Sequence, residues 1–183
     1  MNKGKHIAIK KGQLMNYYNE IKQKIVENEI YAKVKDYSKE RNRVETYFEI
    51  GKLLNEAGSI YGENIIGQYS EMLMNEVGKK YNKSTLFRMR QFYITFSNEK
   101  IAPMAQLLTW SHYTELLPIK DENKMLYYLN ISIKQNLTKR ELRNKIKNKE
   151  YERLSEETKN KLINKKNKSK RFSKKSNFNK QQK

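Results

Sequence analysis

The chain has 183 residues, 39 of them basic and 20 acidic, for a net charge of +19. At 37% hydrophobic and 32% charged it falls below the ~45–50% apolar content of typical domains, so any core it builds is modest. With no cysteine it has neither a disulfide framework nor a cysteine-ligated metal cluster, and no run approaches the ~18 apolar residues of a membrane span.

Residues 1–12 read as a flexible N-terminus, 13–160 as a helical domain and 161–183 as a disordered basic tail. From Gln13 to Asp36, Leu14, Tyr17, Tyr18, Ile21, Ile25 and Val34 recur at helical spacing. A second helix, from Arg41 to Ala57, carries Val44, Tyr47, Phe48, Ile50, Leu53 and Leu54 and is expected to stop at Gly58. The third starts near Gly62–Glu63 and uses Ile65, Ile66, Tyr69, Leu73 and Val77, with Gly78 as its C-terminal stop. Ser84 reads as the cap of a fourth helix running to Phe96. Leu107–Leu117 is a short helix between Pro103 and Pro118, and Asp121 caps the next, through Met125, Leu126, Leu129 and Ile133. Thr138 and Glu141 form a capping box ahead of Leu142 and Ile146. No stretch alternates with period two, so the expected fold class is all-α: a compact helical domain with a helix–turn–helix-like segment. Between Lys161 and Lys183 there are nine lysines, one arginine and no acid, which concentrates +10 of the charge in the tail.

The segment 63–96 has the layout of a helix–turn–helix, an apolar helix followed by a glycine-containing turn and a second capped helix. On a helical wheel Leu86, Met89, Tyr93 and Phe96 form the expected buried stripe of that second helix. Ser84, Arg88, Gln91 and Thr95 fall opposite, with Lys83 just before the helix and Thr85 toward its edge. These residue types contact phosphates and base edges, and 83–96 contains no acid, although an ordinary amphipathic helix with a solvated face has the same pattern. Arg90 lies within the apolar face, so it is assigned a structural role with a carboxylate or carbonyl partner, Glu49, Glu63 and Glu115 being the candidates. A second basic patch runs from Lys134 to Lys149, with seven basic residues against Glu141 alone. Lys139, Arg140, Arg143 and Lys147 are its candidate phosphate contacts, and Lys170 and Arg171 are those of the tail. Trp110-Ser111-His112-Tyr113 resembles chemistry, but a Ser/His pair one residue apart cannot face each other on a helix. No further metal ligands occur at workable spacing, so Trp110 and His112 are expected to serve packing and hydrogen bonding.

Tyr47-Phe-Glu-Ile-Gly51, Tyr61-Gly62, Ser70 with Leu73, Gly78 and Met89-Arg-Gln-Phe-Tyr93 fall in one order with Leu108-Thr-Trp-Ser-His-Tyr113 and Leu116. Tyr127-Tyr128, Arg140-Glu-Leu142 and Tyr151-Glu-Arg-Leu154 continue it. Over roughly residues 15–160 this pattern resembles the N-terminal domain of YhcG-like PDDEXK nuclease-family proteins. The resemblance implies a helical, winged-helix- or helix–turn–helix-like domain that binds DNA, in a family frequent in phage and mobile elements. Such proteins usually continue into a nuclease domain with an Asp…Glu-x-Lys metal site. Here the chain runs into the basic tail, Asp36 and Asp121 are its only aspartates, and Glu20/Lys22 and Glu122/Lys124 both read as helix rather than strand. A divalent-metal nuclease site needs clustered carboxylates, so the nuclease activity is not carried over, and no cofactor or metal is expected.

The reading that follows is a non-catalytic DNA-binding module, accessory or regulatory to the nuclease systems of mobile elements. The charge favours a polyanionic partner through counterion release, although only eight of the basic residues are arginine, a bias that an AT-rich genome also produces. DNA is favoured over RNA, a nuclease or other nucleic-acid enzyme is a second expected partner, and no membrane partner is expected. The competing readings are an RNA- or ribonucleoprotein-binding protein and a protein-interaction adaptor for a nuclease. A polar N-terminus without an apolar signal core leaves the cytoplasm as the expected location.

Overall fold

In a computed structural model, residues 3–33, 39–62, 64–97 and 108–161 are described, except for the side chains of 3–11, 13 and 39. Helix α1 spans Lys3–Lys33, α2 Lys39–Tyr61, α3 Asn64–Glu76, α4 Lys83–Phe96, α5 Trp110–Leu116, α6 Glu122–Lys134 and α7 Lys139–Lys147. A 3₁₀ turn, Lys79–Tyr81, joins α3 to α4. The described residues hold no strand, and none of their helices is long and apolar enough to cross a membrane. The fold is all-α. The chain divides into two compact units, Met1–Leu117 and Pro118–Lys183, where the apolar periodicity suggests one helical domain over 13–160.

In the first unit α2 is the central helix, with α1 and α4 packed against it. Tyr18, Ile21 and Ile25 of α1 meet Ile50, Leu54 and Ala57 of α2, and Ile66, Tyr69 and Leu73 of α3 close the core. The apolar spacing reads the core well and the helix ends less well. Helix α1 begins at Lys3 rather than Gln13, because helix-forming lysines need no apolar partner to continue a helix. Helix α2 does not stop at Gly58: it continues to Tyr61, and the stop is Gly62, whose φ of +82° suits glycine and whose N–H returns to the Gly58 carbonyl at 2.9 Å. Gly58 lies inside α2, where a Cβ would meet the Arg90 guanidinium carbon at an ordinary contact distance of 3.6 Å.

Gly51 marks a tighter constraint. A Cβ at this position would lie 2.1 Å from the Met89 carbonyl oxygen and 2.9 Å from the Tyr93 Cβ, so α2 packs directly on the α4 backbone. Beside that contact the aromatic rings interlock. Phe48 meets Phe92 edge-on at 5.7 Å, Phe92 stacks tilted on Tyr113 at 4.6 Å, and Trp110 sits edge-on to Tyr47 at 5.0 Å. These rings fix α5 in the first unit.

The turn before α4 is tied to α1. Tyr81 is fully buried, its hydroxyl donates to Glu29 Oε1 at 2.5 Å, and Lys80 Nζ reaches the same oxygen at 2.5 Å. Ser70 of α3 donates to the Tyr81 carbonyl at 3.3 Å. Burial by itself raises the Glu29 carboxyl, but the hydrogen bonds from Lys80 and Tyr81 outweigh it and hold the group below the ordinary carboxylate range.

In the second unit Asp121 caps α6 by accepting from the Asn123 and Lys124 N–H groups, and Thr138 with Glu141 forms the capping box of α7. Both helices end on a left-handed residue, Asn136 at φ 47° and Lys149 at φ 53°. In each case the following N–H bonds back, Leu137 to Ser132 at 3.0 Å and Glu150 to Lys145 at 3.2 Å. Met125, Tyr128, Leu129, Leu142 and Tyr151 make its small core. The Tyr128 hydroxyl accepts from the Tyr151 N–H at 3.2 Å and donates to the Lys145 carbonyl at 3.3 Å.

Two outcomes test these packing arrangements. Gly51→Ala is expected to lower stability by about 1–3 kcal/mol through overpacking against a backbone that cannot yield. Gly58→Ala, whose new methyl meets its neighbours only at ordinary van der Waals distance, is expected to be neutral or to stabilise by up to ~1 kcal/mol through helix propensity. Equal thermal-unfolding behaviour for the two would contradict the close approach at Gly51. For Glu29 the folded-state carboxyl is depressed, so its contribution is present above the unfolded carboxylate pKa and fades as pH falls through the folded value. Glu29→Gln should therefore unfold at a lower temperature than the native chain at neutral pH, with the gap closing in acid. A gap that stays constant with pH would show that charge on Glu29 is not what holds the turn.

Candidate nucleic-acid interface

The residues that could meet a polyanion lie on α4 and its approach. Asn82, not Ser84, caps the helix: its Oδ1 accepts from the Thr85 N–H at 3.1 Å. The cap therefore falls earlier, and Ser84 becomes a first-turn residue with an exposed side chain. The buried stripe is Leu86, Met89, Phe92 and Phe96. Phe92, which the wheel leaves out, is fully buried, while Tyr93 is only half-buried against Phe48. The physical reason is α5. Its Trp110 and Tyr113 cover Phe92 from a side that a single-helix wheel does not represent.

The opposite face stays outward. Lys83, Ser84, Arg88 and Gln91 are exposed, and Thr85 and Thr95 are half-buried. The Gln91 amide donates to the Thr95 hydroxyl at 3.0 Å, and the Thr85 hydroxyl donates to Asn82 Oδ1 at 3.3 Å. The Lys83 ammonium lies 5.8 Å from the Phe87 ring centroid, which orients its stem along the helix surface. Arg90 points the other way. It is half-buried, its Nε donates to Asn55 Oδ1 at 3.3 Å, and its guanidinium lies over Gly58. An amide oxygen is thus among the partners of this side chain.

The charge layout separates this face from the rest of the first unit. From Val77 to Asn98 there is no Asp or Glu, against Lys79, Lys80, Lys83, Arg88 and Arg90. Many carboxylates of α1 and α2 are matched in ion pairs: Glu49 with Lys24 at 2.5 Å, Glu40 with Arg43 at 2.5 Å and Glu45 with Arg41 at 3.2 Å. Glu76, the last residue of α3, is matched with Lys22 at 2.5 Å. Lys79 and Lys80 were legible in the sequence as the Gly78-Lys-Lys-Tyr81 run ahead of the capped helix, and both are at least partly exposed.

In the second unit Arg140, Arg143 and Lys147 are exposed along α7, Lys139 is half-buried, and Leu142 is buried on the other side of the helix. Lys145 leaves this face to pair with Glu150 at 2.8 Å. Lys170 and Arg171 lie outside the described residues.

Trp110 and His112 both pack within the first unit. Trp110 is half-buried against the core, and His112 is buried. The Thr109 N–H donates to His112 Nδ1 at 3.4 Å, and the Thr109 hydroxyl lies 2.7 Å from the same nitrogen. His112 thereby fills the place that Glu has in a capping box, which makes Nδ1 an acceptor. Among the described residues no group of three or more His, Cys, Asp or Glu side chains could hold a metal ion.

No curated protein and no solved structure matches the chain. The family model of the DUF1016 N-terminal domain matches residues 20–153, a range that contains α2 to α7 and so covers both α4 and α7. With well over half of its length matched, the chain belongs to the DUF1016 N-terminal domain family, the N-terminal domain of YhcG-like proteins.

Proposed function

We propose that this chain is a non-catalytic DNA-binding module that grips a duplex through the outward face of α4, in an accessory or regulatory role in the nuclease systems of mobile elements. The observation that carries the reading is the acid-free stretch 77–98, on which Lys83, Ser84, Arg88 and Gln91 are exposed in successive turns of one helix. Arginine and glutamine on a helix that follows an α3–turn–α4 connection supply phosphate and base-edge contacts of the helix–turn–helix kind. Exposed lysines add affinity by releasing counterions from the duplex. The exposed bases of α7 and the ten positive charges of 161–183 extend the same electrostatic attraction. DNA is preferred to RNA because a single helix enters the wide major groove of B-form DNA, whereas the major groove of A-form RNA is too narrow. The family's association with nucleases supports an accessory role, with the cytoplasm as the proposed place of work.

Gel retardation of a random duplex and of a matched RNA duplex, each titrated with salt, tests the reading. Arg88→Ala with Gln91→Ala should leave thermal stability within about 0.5 kcal/mol, because both side chains are exposed. It should weaken DNA binding by about 1–3 kcal/mol for each base that the two side chains read. Arg90→Ala should do the reverse, lowering stability because Asn55 and the surface over Gly58 are left without the guanidinium. Unchanged DNA affinity in the double variant would remove α4 from the interface, and stronger binding to the RNA duplex would favour the ribonucleoprotein reading. Deleting 161–183 should flatten the plot of log affinity against log salt, by about 0.9 for each phosphate that the tail neutralises. An unaltered slope would exclude the tail from binding.

A further inference from the structure

A groove of about 630 Å³ runs between α1 and α2, and it belongs to a different face of the first unit from α4. The α2 residues that meet α4 are Phe48, Gly51, Asn55 and Gly58. Those that line the groove are Glu49, Lys52, Leu53, Glu56, Ile60 and Tyr61. At about 100° per residue the two sets lie roughly 150° apart around α2. The groove is therefore spatially separate from the basic helix.

Its chemistry is also the opposite. Three carboxylates, Glu20, Glu49 and Glu56, stand over two ammonium groups, Lys24 and Lys52, on a chain that carries +19 overall. Lys24 is committed to Glu49 at 2.5 Å, and Lys52 only reaches Glu56 at 4.0 Å. Glu56 is shared between Lys52 and the Tyr17 phenol, and Glu20 faces the groove without such an ion pair among the described residues. Burial, and then the neighbouring Glu56 carboxylate, raises the Tyr17 phenol on the same wall. The apolar part is Ile60, which is 54% exposed, beside the buried Leu53. Tyr61 completes the wall.

A polyanion has no place in such a groove. An apolar side chain flanked by cationic ones does: the apolar group covers Ile60 and Leu53, and an ammonium or guanidinium sits between Glu20, Glu56 and the Tyr17 ring. The net positive charge of the chain does not forbid this, because charges beyond a screening length of about 8 Å are damped in physiological salt. We propose that the α1–α2 groove docks a basic amphipathic segment of a partner protein, so that the domain holds that partner while α4 faces elsewhere. The proposal does not rest on the DNA reading and stands or falls separately from it.

The test uses the full chain and two synthetic amphipathic helices of the same length, one built from Leu and Arg and the other from Leu and Glu, with binding followed by fluorescence anisotropy. The Leu/Arg helix should bind at least about tenfold more tightly than the Leu/Glu helix, the preference that charge-assisted pairing supplies. Glu20→Lys with Glu56→Lys should reverse that preference, a gain that misfolding cannot produce. Ile60→Ser should weaken the Leu/Arg helix while leaving DNA retardation unchanged. Equal binding of both helices, or a double variant that keeps the native preference, would overturn the proposal. So would self-association of the native chain abolished by the same substitutions, which would make a second copy the occupant. Intramolecular carbodiimide cross-links from tail lysines to Glu20 or Glu56 would overturn it too, because the chain's own tail would then fill the groove.

Discussion

The backbone approach of α2 to α4 at Gly51 is the interaction on which the rest of the first unit depends. With no side chain at that position, the Met89 carbonyl lies where a Cβ would otherwise stand. A closer axis brings the aromatic residues of both helices within reach of one another, and Phe48, Phe92 and Tyr93 meet there. Trp110 and Tyr113 then close over Phe92, which is how a helix of seven residues, α5, acquires a fixed position. Short helices are marginal on propensity alone, so α5 owes its order to these rings and to the Thr109–His112 cap. One turn and two turns along α2, Asn55 and Gly58 receive Arg90, so that the same interface that is tight at Gly51 accommodates a guanidinium nearby. The rotation of α4 about its own axis is set by these two ends. Its polar face is outward as a consequence.

The turn before α4 has a second anchor of a different kind. Tyr81 is buried among the core residues, and its hydroxyl would be costly without an acceptor; Glu29 of α1 supplies one and takes Lys80 as well. The carboxylate is only partly screened from water, so the pair with Lys80 by itself is weak, and its worth comes from joining the buried phenol to it. This joint connects α1, the 3₁₀ turn and the start of α4. It also consumes one of the acids near the basic face. Together with the ion pairs along α1 and α2, it leaves the surface of α4 positive although the first unit as a whole contains many carboxylates. The proposed DNA contact and the proposed partner groove follow from one distribution of charge, the first on α4 and the second between α1 and α2.

Membership of the DUF1016 N-terminal domain family covers residues of both units, and the second unit has its own internal logic. There a tyrosine, Tyr128, links α6 to the chain beyond α7, its hydroxyl both accepting from one backbone group and donating to another. Tyr127 adds a hydrogen bond to Glu150 at 2.9 Å, and its phenol is pushed up to about 12 by burial and then by that carboxylate. Polar links of this type suit a unit whose apolar core is small. They also take Glu150 and Lys145 out of the exposed face of α7, which keeps Arg140, Arg143 and Lys147 as its outward bases.

Much of this was legible in the amino-acid order. Apolar spacing identified the helices and most of the core from Tyr18 to Leu142, and the caps at Asp121 and Thr138 are local signals that depend on a few adjacent residues. The exposure of Lys83, Ser84, Arg88 and Gln91 also followed from spacing, because a face with no apolar residue stays in water whatever it is packed beside. The motifs that run from Tyr47 to Leu154 pointed to the family that the domain match shows. Tertiary structure decided what depends on a neighbour. Whether glycine ends a helix or lets another pass is not written in the glycine, and Gly58 became a seat for Arg90 while Gly62 took the turn. Phe92 is buried because α5 lies over it, an arrangement made by residues well beyond its own helix. The cap moved to Asn82 because the 3₁₀ turn, held by Tyr81 and Glu29, delivers that residue in an extended conformation at the head of α4. Local sequence determines which residues prefer helix and which prefer water, whereas the faces, ends and partners of those helices are set by packing between segments distant in the chain.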